Sequence, residues 1–156
     1  MDHLDIPDDA YKPIKELVED DGFIFEEHIV TTNDGFINTI HRIYKDTPYK
    51  NDCDNPEILK CEQHPKPIII FQHGYADASD AWVVNSIEKS PAYYAATEGY
   101  DIWMTNSRGN VHSMNHTTLD PERDSEYWMS TFTDWSREDI PAVFKHIRNV
   151  TKLPPS

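Results

Sequence analysis

Basic residues are scarce in this chain. Lysine and arginine together number 14, against 28 aspartate and glutamate residues, which gives a net charge of −14. No basic stripe interrupts this excess, so we do not expect nucleic acid as a partner. Part of the negative charge is concentrated in residues 1–22, which we interpret as a solvated acidic lead-in.

Long apolar runs are missing as well. No stretch is long and apolar enough to span a bilayer, so we expect no transmembrane segment. The N-terminus has neither a basic region nor an apolar core of the kind found in secretory signals, and no signal peptide is predicted. The sequence therefore leaves the compartment of the protein unknown.

Cysteine occurs only twice, at Cys53 and Cys61, in a polar stretch between apolar runs. This placement is compatible with a small local disulfide or with two free thiols. His64 is the only other nearby ligand of the histidine or cysteine type, so we expect no metal site, and no cofactor is expected either. Asn115 and Asn149 begin Asn-x-Thr triplets, which would accept a glycan in a secreted chain.

The first third of the chain has the pattern of a short helix followed by a hairpin. We expect a helix around Ile14 to Val18 and a strand from Glu26 to Thr32. Asn33-Asp34-Gly35 is a strong hairpin signal because glycine, asparagine and aspartate tolerate positive φ. The returning strand is predicted from Phe36 to Tyr44, and a long proline-containing loop from residue 45 to 66.

The middle of the chain alternates strand and helix. Pro67 to Gln72 is an apolar, β-branched run that we expect to be a strand buried on both faces, as in a parallel sheet. A helix is predicted to begin at Pro91 and to stop at Gly99. Tyr100 to Thr105 is the next predicted strand.

The last predicted element is a helix that begins near Ser136. Ser136 and Asp139 have the spacing of a capping box, and Pro141 must either begin the regular helix or kink it. The order hairpin, strand, helix, strand, helix predicts an α/β fold with crossover connections. Its ligands would bind where the parallel strands end, which places the loops after Gln72 and Thr105 at one edge of the sheet.

The run His73-Gly74-Tyr75 directly follows the apolar strand. Acyl transfer needs backbone N–H donors aimed at the oxyanion of the tetrahedral intermediate. A loop that leaves a buried strand can present them where a glycine permits the turn, which makes the N–H of Tyr75 a candidate donor. The alternative is an ordinary turn in which Gly74 supplies only a backbone shape.

Five segments in order favour the first of these alternatives. They resemble the acid lipase family, which includes the gastric and lysosomal acid lipases, over roughly residues 23 to 150. The segments are Thr31-Thr32-Asn33-Asp34-Gly35-Phe36-Ile37, Phe71-Gln72-His73-Gly74-Tyr75 with Ala78-Ser79 and Trp82, Gly99-Tyr100-Asp101-Ile102-Trp103, Asn106-Ser107-Arg108-Gly109-Asn110, and Tyr127-Trp128, Phe132-Thr133-Asp134 and Asp139-Ile140-Pro141-Ala142.

The resemblance implies an α/β-hydrolase fold and hydrolysis of neutral-lipid esters by a Ser-Asp-His triad. It also implies that His73, Gly74 and Tyr75 form the oxyanion loop, in which the Tyr75 N–H is one of two donors. Members of the family are typically secreted or lysosomal. The expected domains are the acidic lead-in, a partial lipase domain over residues 23–150 and a tail over residues 151–156.

The catalytic triad itself is missing from these residues. The family's nucleophile lies in a Gly-x-Ser-x-Gly elbow, and no two of the five glycines here are four residues apart. The triad aspartate and histidine follow the nucleophile, so we expect a fold that stops before the nucleophile strand and a chain that is inactive alone. Ser107 with His73 or His112 is a weak substitute, because no orienting acid is apparent.

A strand without its next neighbour has a second consequence. In the family's sheet the third strand lies between the fourth and the fifth, so Ile68 to Phe71 would form an apolar, unpaired edge here. We expect either the missing part of a lipase or another protein to pair with it. The chain is therefore either the N-terminal part of an acid-lipase-like esterase, acting on a lipid ester, or a non-catalytic structural or interaction subunit derived from that fold.

Overall fold

The computed structural model describes residues 11–46 and 66–152. The first ten residues, both cysteines and the last four residues lie outside this part, as does most of the predicted loop from residue 45 to 66. Its strands are β1 (Ile24–Thr31), β2 (Phe36–Tyr44), β3 (Ile68–Gln72), β4 (Asp101–Thr105) and β5 (Asn115–His116). Its α-helices are α1 (Ile14–Asp20), α2 (Pro91–Thr97), α3 (Phe132–Asp134) and α4 (Ile140–Thr151).

The hairpin prediction is confirmed. β1 and β2 flank a turn in which Gly35 has φ of +99°. A Cβ at this glycine would lie 2.5 Å from the Thr117 hydroxyl, so both the backbone conformation and the lack of space require glycine here. The turn is closed by the Gly35 N–H, which donates to the Thr32 carbonyl at 3.1 Å.

The described strands form one sheet in the order β1-β2-β4-β3. The two-residue strand β5 pairs antiparallel with the start of β2, where Phe36 faces His116. Because β3 and β4 are neighbours joined through α2, the sheet contains the strand-helix-strand unit that the sequence predicts. The α/β fold class is confirmed.

β3 lies at one end of the strand order in the described part of the chain. All five of its residues are only half-buried, whereas all five residues of β4 are buried. The prediction that β3 is buried on both faces is therefore wrong. Its side chains stay partly exposed because no described strand covers its outer side.

The two ends of the sheet differ in character. β1 carries Glu26 and Glu27, and charged side chains of this kind protect an edge strand against unwanted pairing. The β3 segment from Ile68 to Phe71 has no charged residue. The expected apolar edge therefore lies at β3 and not at β1.

The residues at the start and the end of α2 are those that the sequence predicts. Pro91 is its first residue, where the missing N–H of proline costs nothing. Gly99, with φ of +92°, follows the helix and donates to the Ala96 carbonyl at 3.1 Å. Such a left-handed glycine ends helices because it carries no Cβ.

The last helix begins earlier than predicted. The capping box is formed by Thr131 and Asp134, not by Ser136 and Asp139. α3 then passes through a π-helical turn, Trp135–Asp139, into α4. Pro141 is the second residue of α4, so the regular helix starts where proline's missing N–H is tolerated.

The contacts divide the chain into two compact units that interleave in sequence. Of the described residues, the first contains 11–26, 42–46, 66–71 and 80–103. Its core includes Trp103, which is completely buried, and Phe23, whose ring stacks on that of Tyr93 with 4.7 Å between centroids. Arg42 lies over the Trp103 ring and pairs with Asp101 at 2.7 Å.

Of the described residues, the second unit contains 27–41, 72–79 and 104–152. Its buried apolar side chains come from β2, β4 and α4 and from the segment after β5. They include Ile40, Met104, Tyr127, Val143 and Ile147. Both loops that the sequence places at the end of β3 and β4, residues 73–79 and 106–110, belong to this unit, and so does every residue of the candidate site.

Candidate functional site

The predicted oxyanion residues His73, Gly74 and Tyr75 lie in residues 73–79, which follow the end of β3 and are called the oxyanion loop after that prediction. Within residues 11–46 and 66–152, nothing accepts a hydrogen bond from the backbone N–H of Tyr75. The Tyr75 side chain is 89% exposed, and its ring lies 6.0 Å from that of Phe132, which is 71% exposed. An oxyanion donor must keep its N–H free for the substrate, and within the described residues the Tyr75 N–H meets this requirement.

The turn in this loop depends on Ala76 and not on Gly74. Ala76 has φ of 57°, in the left-handed region that L-residues seldom adopt. Gly74 does not have a positive φ, and a Cβ built on it would meet no described atom within 4 Å. The expectation that Gly74 permits the turn is therefore wrong. A side chain at Gly74 would instead enter space that no described atom beyond its chain neighbours fills.

His73 is buried at the start of the loop. Its Nδ1 lies 2.7 Å from the Gly74 carbonyl oxygen, and its Nε2 accepts the backbone N–H of Ser107 at 3.0 Å. The side-chain amide of Asn110 lies 3.3 Å from the same Nε2. Both ring nitrogens are thus engaged by groups of the chain itself, so His73 holds the loop and is not available as a base.

The loop at residues 106–110 ties down the far end of the oxyanion loop. The Asn106 side-chain oxygen accepts the backbone N–H of Ser79 at 3.0 Å and the Asn110 amide at 2.8 Å. The Asn106 amide donates to the Ser79 hydroxyl at 3.1 Å. These asparagines therefore act as a clamp on residues 73–79, a role that sequence reasoning did not assign to them.

Ser107 and His73 do not form a nucleophile and base. The Ser107 hydroxyl accepts a hydrogen bond from the Gln72 amide at 3.2 Å, and only its backbone N–H reaches His73. The weak alternative of a substitute triad at Ser107 finds no support in this geometry, because the hydroxyl has no base to activate it.

A different serine does contact a histidine. The Ser79 hydroxyl lies 2.8 Å from Nδ1 of His41, whose Nε2 is 3.7 Å from a Glu27 carboxylate oxygen. This order of serine, imidazole and carboxylate is the order of a catalytic triad. Both Ser79 and His41 are completely buried, however, so no substrate can reach the hydroxyl. Sequence reasoning missed this trio, because the three residues are far apart in the chain.

Arg108 joins the hairpin turn to the last helical segment. Its guanidinium pairs with Asp139 at 2.6 Å and with Asp34 at 2.7 Å, and it lies 3.8 Å from the centre of the Phe36 ring. Burial alone would lower the pKa of Arg108, but the hydrogen bonds to the two carboxylates outweigh it and raise the pKa. Two carboxylates occupy the hydrogen-bond donors of the Arg108 guanidinium. Arg108 is therefore a structural charge and does not offer free donors to an anionic ligand.

The same contact acts on Asp34. Burial tends to raise the pKa of its carboxyl, but hydrogen bonds from Arg108 and from the Thr32 hydroxyl lower it below the ordinary value. The carboxylate is therefore ionised over the whole neutral range. Because Asp34 lies in the turn between β1 and β2, the ion pair fixes the hairpin to the loop that begins at Asn106.

The other predicted features can be located in part. Asn115 lies in β5 and Asn149 in α4, and both are exposed. Cys53 and Cys61 are outside the described residues. In residues 11–46 and 66–152, no three metal-ligating side chains come together. No helix in that part of the chain has the length and apolarity needed to cross a bilayer.

Comparison with known proteins gives the family of this fold. Residues 14–86 match the model of the partial alpha/beta-hydrolase lipase region. This chain carries an acid-lipase-type α/β-hydrolase region. It is 35% identical to "Lipase 1" of Drosophila melanogaster over 99% of the chain. It is 36% identical over 88% of the chain to human "Lysosomal acid lipase/cholesteryl ester hydrolase", and 34% identical over 89% to human "Lipase member K".

The acid-lipase-type region accounts for only part of these relatives. The chain spans 31% of the Drosophila lipase and 32% of each of the two human proteins. The resemblance to acid lipases and the partial nature of the lipase domain are both confirmed. The loop at His73, Gly74 and Tyr75 lies inside the region that the family model matches.

Proposed function

We propose that this chain supplies the oxyanion-donor half of an acid-lipase-type hydrolase of neutral-lipid esters. The observation that carries the proposal is the backbone N–H of Tyr75, which has no acceptor among the described residues. It follows β3 in a loop whose two ends are held by side-chain hydrogen bonds. A preorganised donor of this kind stabilises the developing oxyanion without the cost of reorganisation during the reaction.

The substrate class follows from the surroundings of that donor. The rings of Tyr75 and Phe132 are exposed and close together, and residues 73–76 contain no lysine, arginine, aspartate or glutamate. Apolar rings beside the donor favour a neutral ester with an apolar chain. Human lysosomal acid lipase, whose printed name includes cholesteryl ester hydrolase, is consistent with this class.

The 156 residues are proposed to be inactive by themselves. They contain no Gly-x-Ser-x-Gly motif. In the described part of the chain, Ser79 is hydrogen-bonded to His41 near a carboxylate, but its hydroxyl is buried. Hydrolysis would therefore need a nucleophile from outside this sequence. A compartment of the secretory or lysosomal type is proposed on the same family resemblance, and glycans at Asn115 and Asn149 would follow from it.

A chimera tests the activity. Residues of this chain would replace the matching segment of human lysosomal acid lipase, and hydrolysis of a neutral ester would be measured together with folding by circular dichroism. We expect Tyr75→Pro, which removes the N–H, to lower kcat about 10²- to 10³-fold. Tyr75→Phe keeps the N–H and should stay close to the parent. A folded chimera that is active with Tyr75→Pro would refute the assignment.

A second function is favoured by β3. This strand is apolar and lies at one end of the strand order of the described residues, so a non-catalytic subunit could dock it on a partner's strand. The intact mass of native complexes tests this. Ile69→Lys in β3 should abolish such a complex, whereas Ile29→Lys on the charged strand β1 should not. A monomeric parent chain would rule the second function out.

A further inference from the structure

The hydrogen-bond partners of His73 determine where its proton lies. The Gly74 carbonyl oxygen, 2.7 Å from Nδ1, can only accept a hydrogen bond. The Ser107 backbone N–H, 3.0 Å from Nε2, can only donate one. Nδ1 must therefore carry the hydrogen and Nε2 must present its lone pair. No other neutral or charged form of the imidazole satisfies both contacts.

We propose that His73 is a positioning residue of the oxyanion loop, locked as the neutral Nδ1–H tautomer between Gly74 and Ser107. Its role rests on the proposed function, because it acts through the Tyr75 N–H, two residues further along the chain. The imidazole spans from the loop that follows β3 to the loop that follows β4, so it fixes the direction in which the chain leaves β3. It takes no proton from a substrate, because its one lone pair is occupied.

The neighbours of the imidazole support the same tautomer. The Asn110 amide, 3.3 Å from Nε2, is a donor and so also requires a lone pair on that nitrogen. Asn110 in turn donates to the Asn106 side-chain oxygen at 2.8 Å, which orients its amide. His73 is 8% exposed, so water does not compete freely for either nitrogen. Two donors converge on Nε2 and one acceptor faces Nδ1.

Two substitutions separate the contacts of the ring. In His73→Gln, the side-chain oxygen replaces Nε2 and can still accept the Ser107 N–H. In His73→Asn, the shorter side chain can reach the Gly74 carbonyl but not Ser107. If the imidazole positions the loop through Ser107, the Gln variant should keep the loop ordered and the Asn variant should not. If His73 merely fills space, the two variants should behave alike.

The test uses the full 156-residue chain labelled with ¹⁵N. Long-range ¹H–¹⁵N correlation at neutral pH, with the His73 signals identified by their loss in both variants, should show a protonated Nδ1 and an unprotonated Nε2. The amide of Ser107 should exchange with solvent at least tenfold faster in His73→Asn than in His73→Gln. The heteronuclear NOE of the Tyr75 amide should fall only in the Asn variant.

Each outcome bears on the proposal directly. The opposite tautomer, a doubly protonated ring or an averaged spectrum would overturn it, whether the averaging came from tautomer exchange or from an unfolded loop. Equal behaviour of the two variants would overturn the positioning role. None of these measurements depends on hydrolysis, so failure of the esterase proposal would appear separately, as an inactive but folded chimera.

Discussion

The hydroxyl of Ser79 lies 2.8 Å from Nδ1 of His41, and both side chains are completely buried. The same hydroxyl accepts the Asn106 amide at 3.1 Å. A serine in this setting forms hydrogen bonds with two buried polar side chains. Its contribution is to stability, because a nucleophile must be reachable by the substrate.

Ser79→Ala should destabilise the chain by about 1–3 kcal/mol, because it removes the buried hydrogen bonds that the Ser79 hydroxyl makes with His41 and with the Asn106 amide. Urea unfolding measures the loss. The control is Ser136→Ala on the exposed side of the last helical segment, where the change should stay within about 0.5 kcal/mol. A fluorophosphonate probe should label neither the parent nor the variant, and covalent labelling at Ser79 would contradict the burial argument.

Arg108→Ala should cost about 3 kcal/mol, because it leaves the buried Asp139 carboxylate unpaired. The value belongs at the lower end of the range for buried pairs, since the second partner, Asp34, is 35% exposed. Arg108→Lys keeps the charge but not the planar fork, so it should recover only part of the loss.

The matched control for this ion pair is Arg123→Ala. Arg123 pairs with Asp120 on the surface, at 3.4 Å and with an arginine side chain that is 84% exposed. Such pairs are worth at most about 1 kcal/mol. Urea midpoints that shifted equally for Arg108→Ala and Arg123→Ala would show that the buried network contributes no more than a surface contact.

The elements that sequence could predict are those fixed by local backbone chemistry. The turn at Gly35, the start of α2 at Pro91 and its end at Gly99 each depend on a residue whose own φ is special. The Tyr75 N–H could be proposed as a donor because a short family motif carries it. These features need no knowledge of distant contacts.

The features that sequence could not predict depend on packing between distant segments. Ser79 and His41 are 38 residues apart, and Arg108 and Asp139 are 31 apart. No sequence pattern predicts either contact. The cap of the last helix shows the same limit. Thr131 with Asp134 and Ser136 with Asp139 have identical spacing, and Asp139 is engaged by Arg108 in the folded chain, which leaves the first pair to form the box.

Stability should fall as the pH drops below about 6.5, in part because of His146. Burial, and then the neighbouring His28 at 3.2 Å, lower the pKa of His146 below its ordinary value of 6.5. The unfolded chain regains the ordinary pKa and so binds the proton first as the pH falls. The loss begins near the unfolded pKa and levels off once the pH is below the folded one.

His146→Gln should flatten this part of the stability curve, measured by urea unfolding between pH 7 and pH 5. His28→Gln should reduce the slope without removing it, because burial is the larger cause of the shift and stays in place. An unchanged slope in His146→Gln would assign the pH dependence to other groups.

The oxyanion loop offers a prediction that separates stability from activity, because its strain and its open space lie at neighbouring residues. Ala76→Gly should stabilise the chain by up to about 1 kcal/mol, since it relieves the left-handed conformation at φ of 57°, although the freer unfolded chain offsets part of the gain. Gly74→Ala should leave stability unchanged or slightly raised, because its Cβ meets no described atom within 4 Å.

The two substitutions should rank differently for activity, with Gly74→Ala the more harmful. We expect an ester oxygen to approach the Tyr75 N–H through the open space at Gly74, so Gly74→Ala should lower kcat in the chimera while its urea midpoint is unchanged or slightly raised. Ala76→Gly should retain most of the activity, because it keeps every N–H in the loop. A destabilised Gly74→Ala variant would show that the space at Gly74 has a structural role. A fully active variant would show that the substrate oxygen approaches Tyr75 from another side.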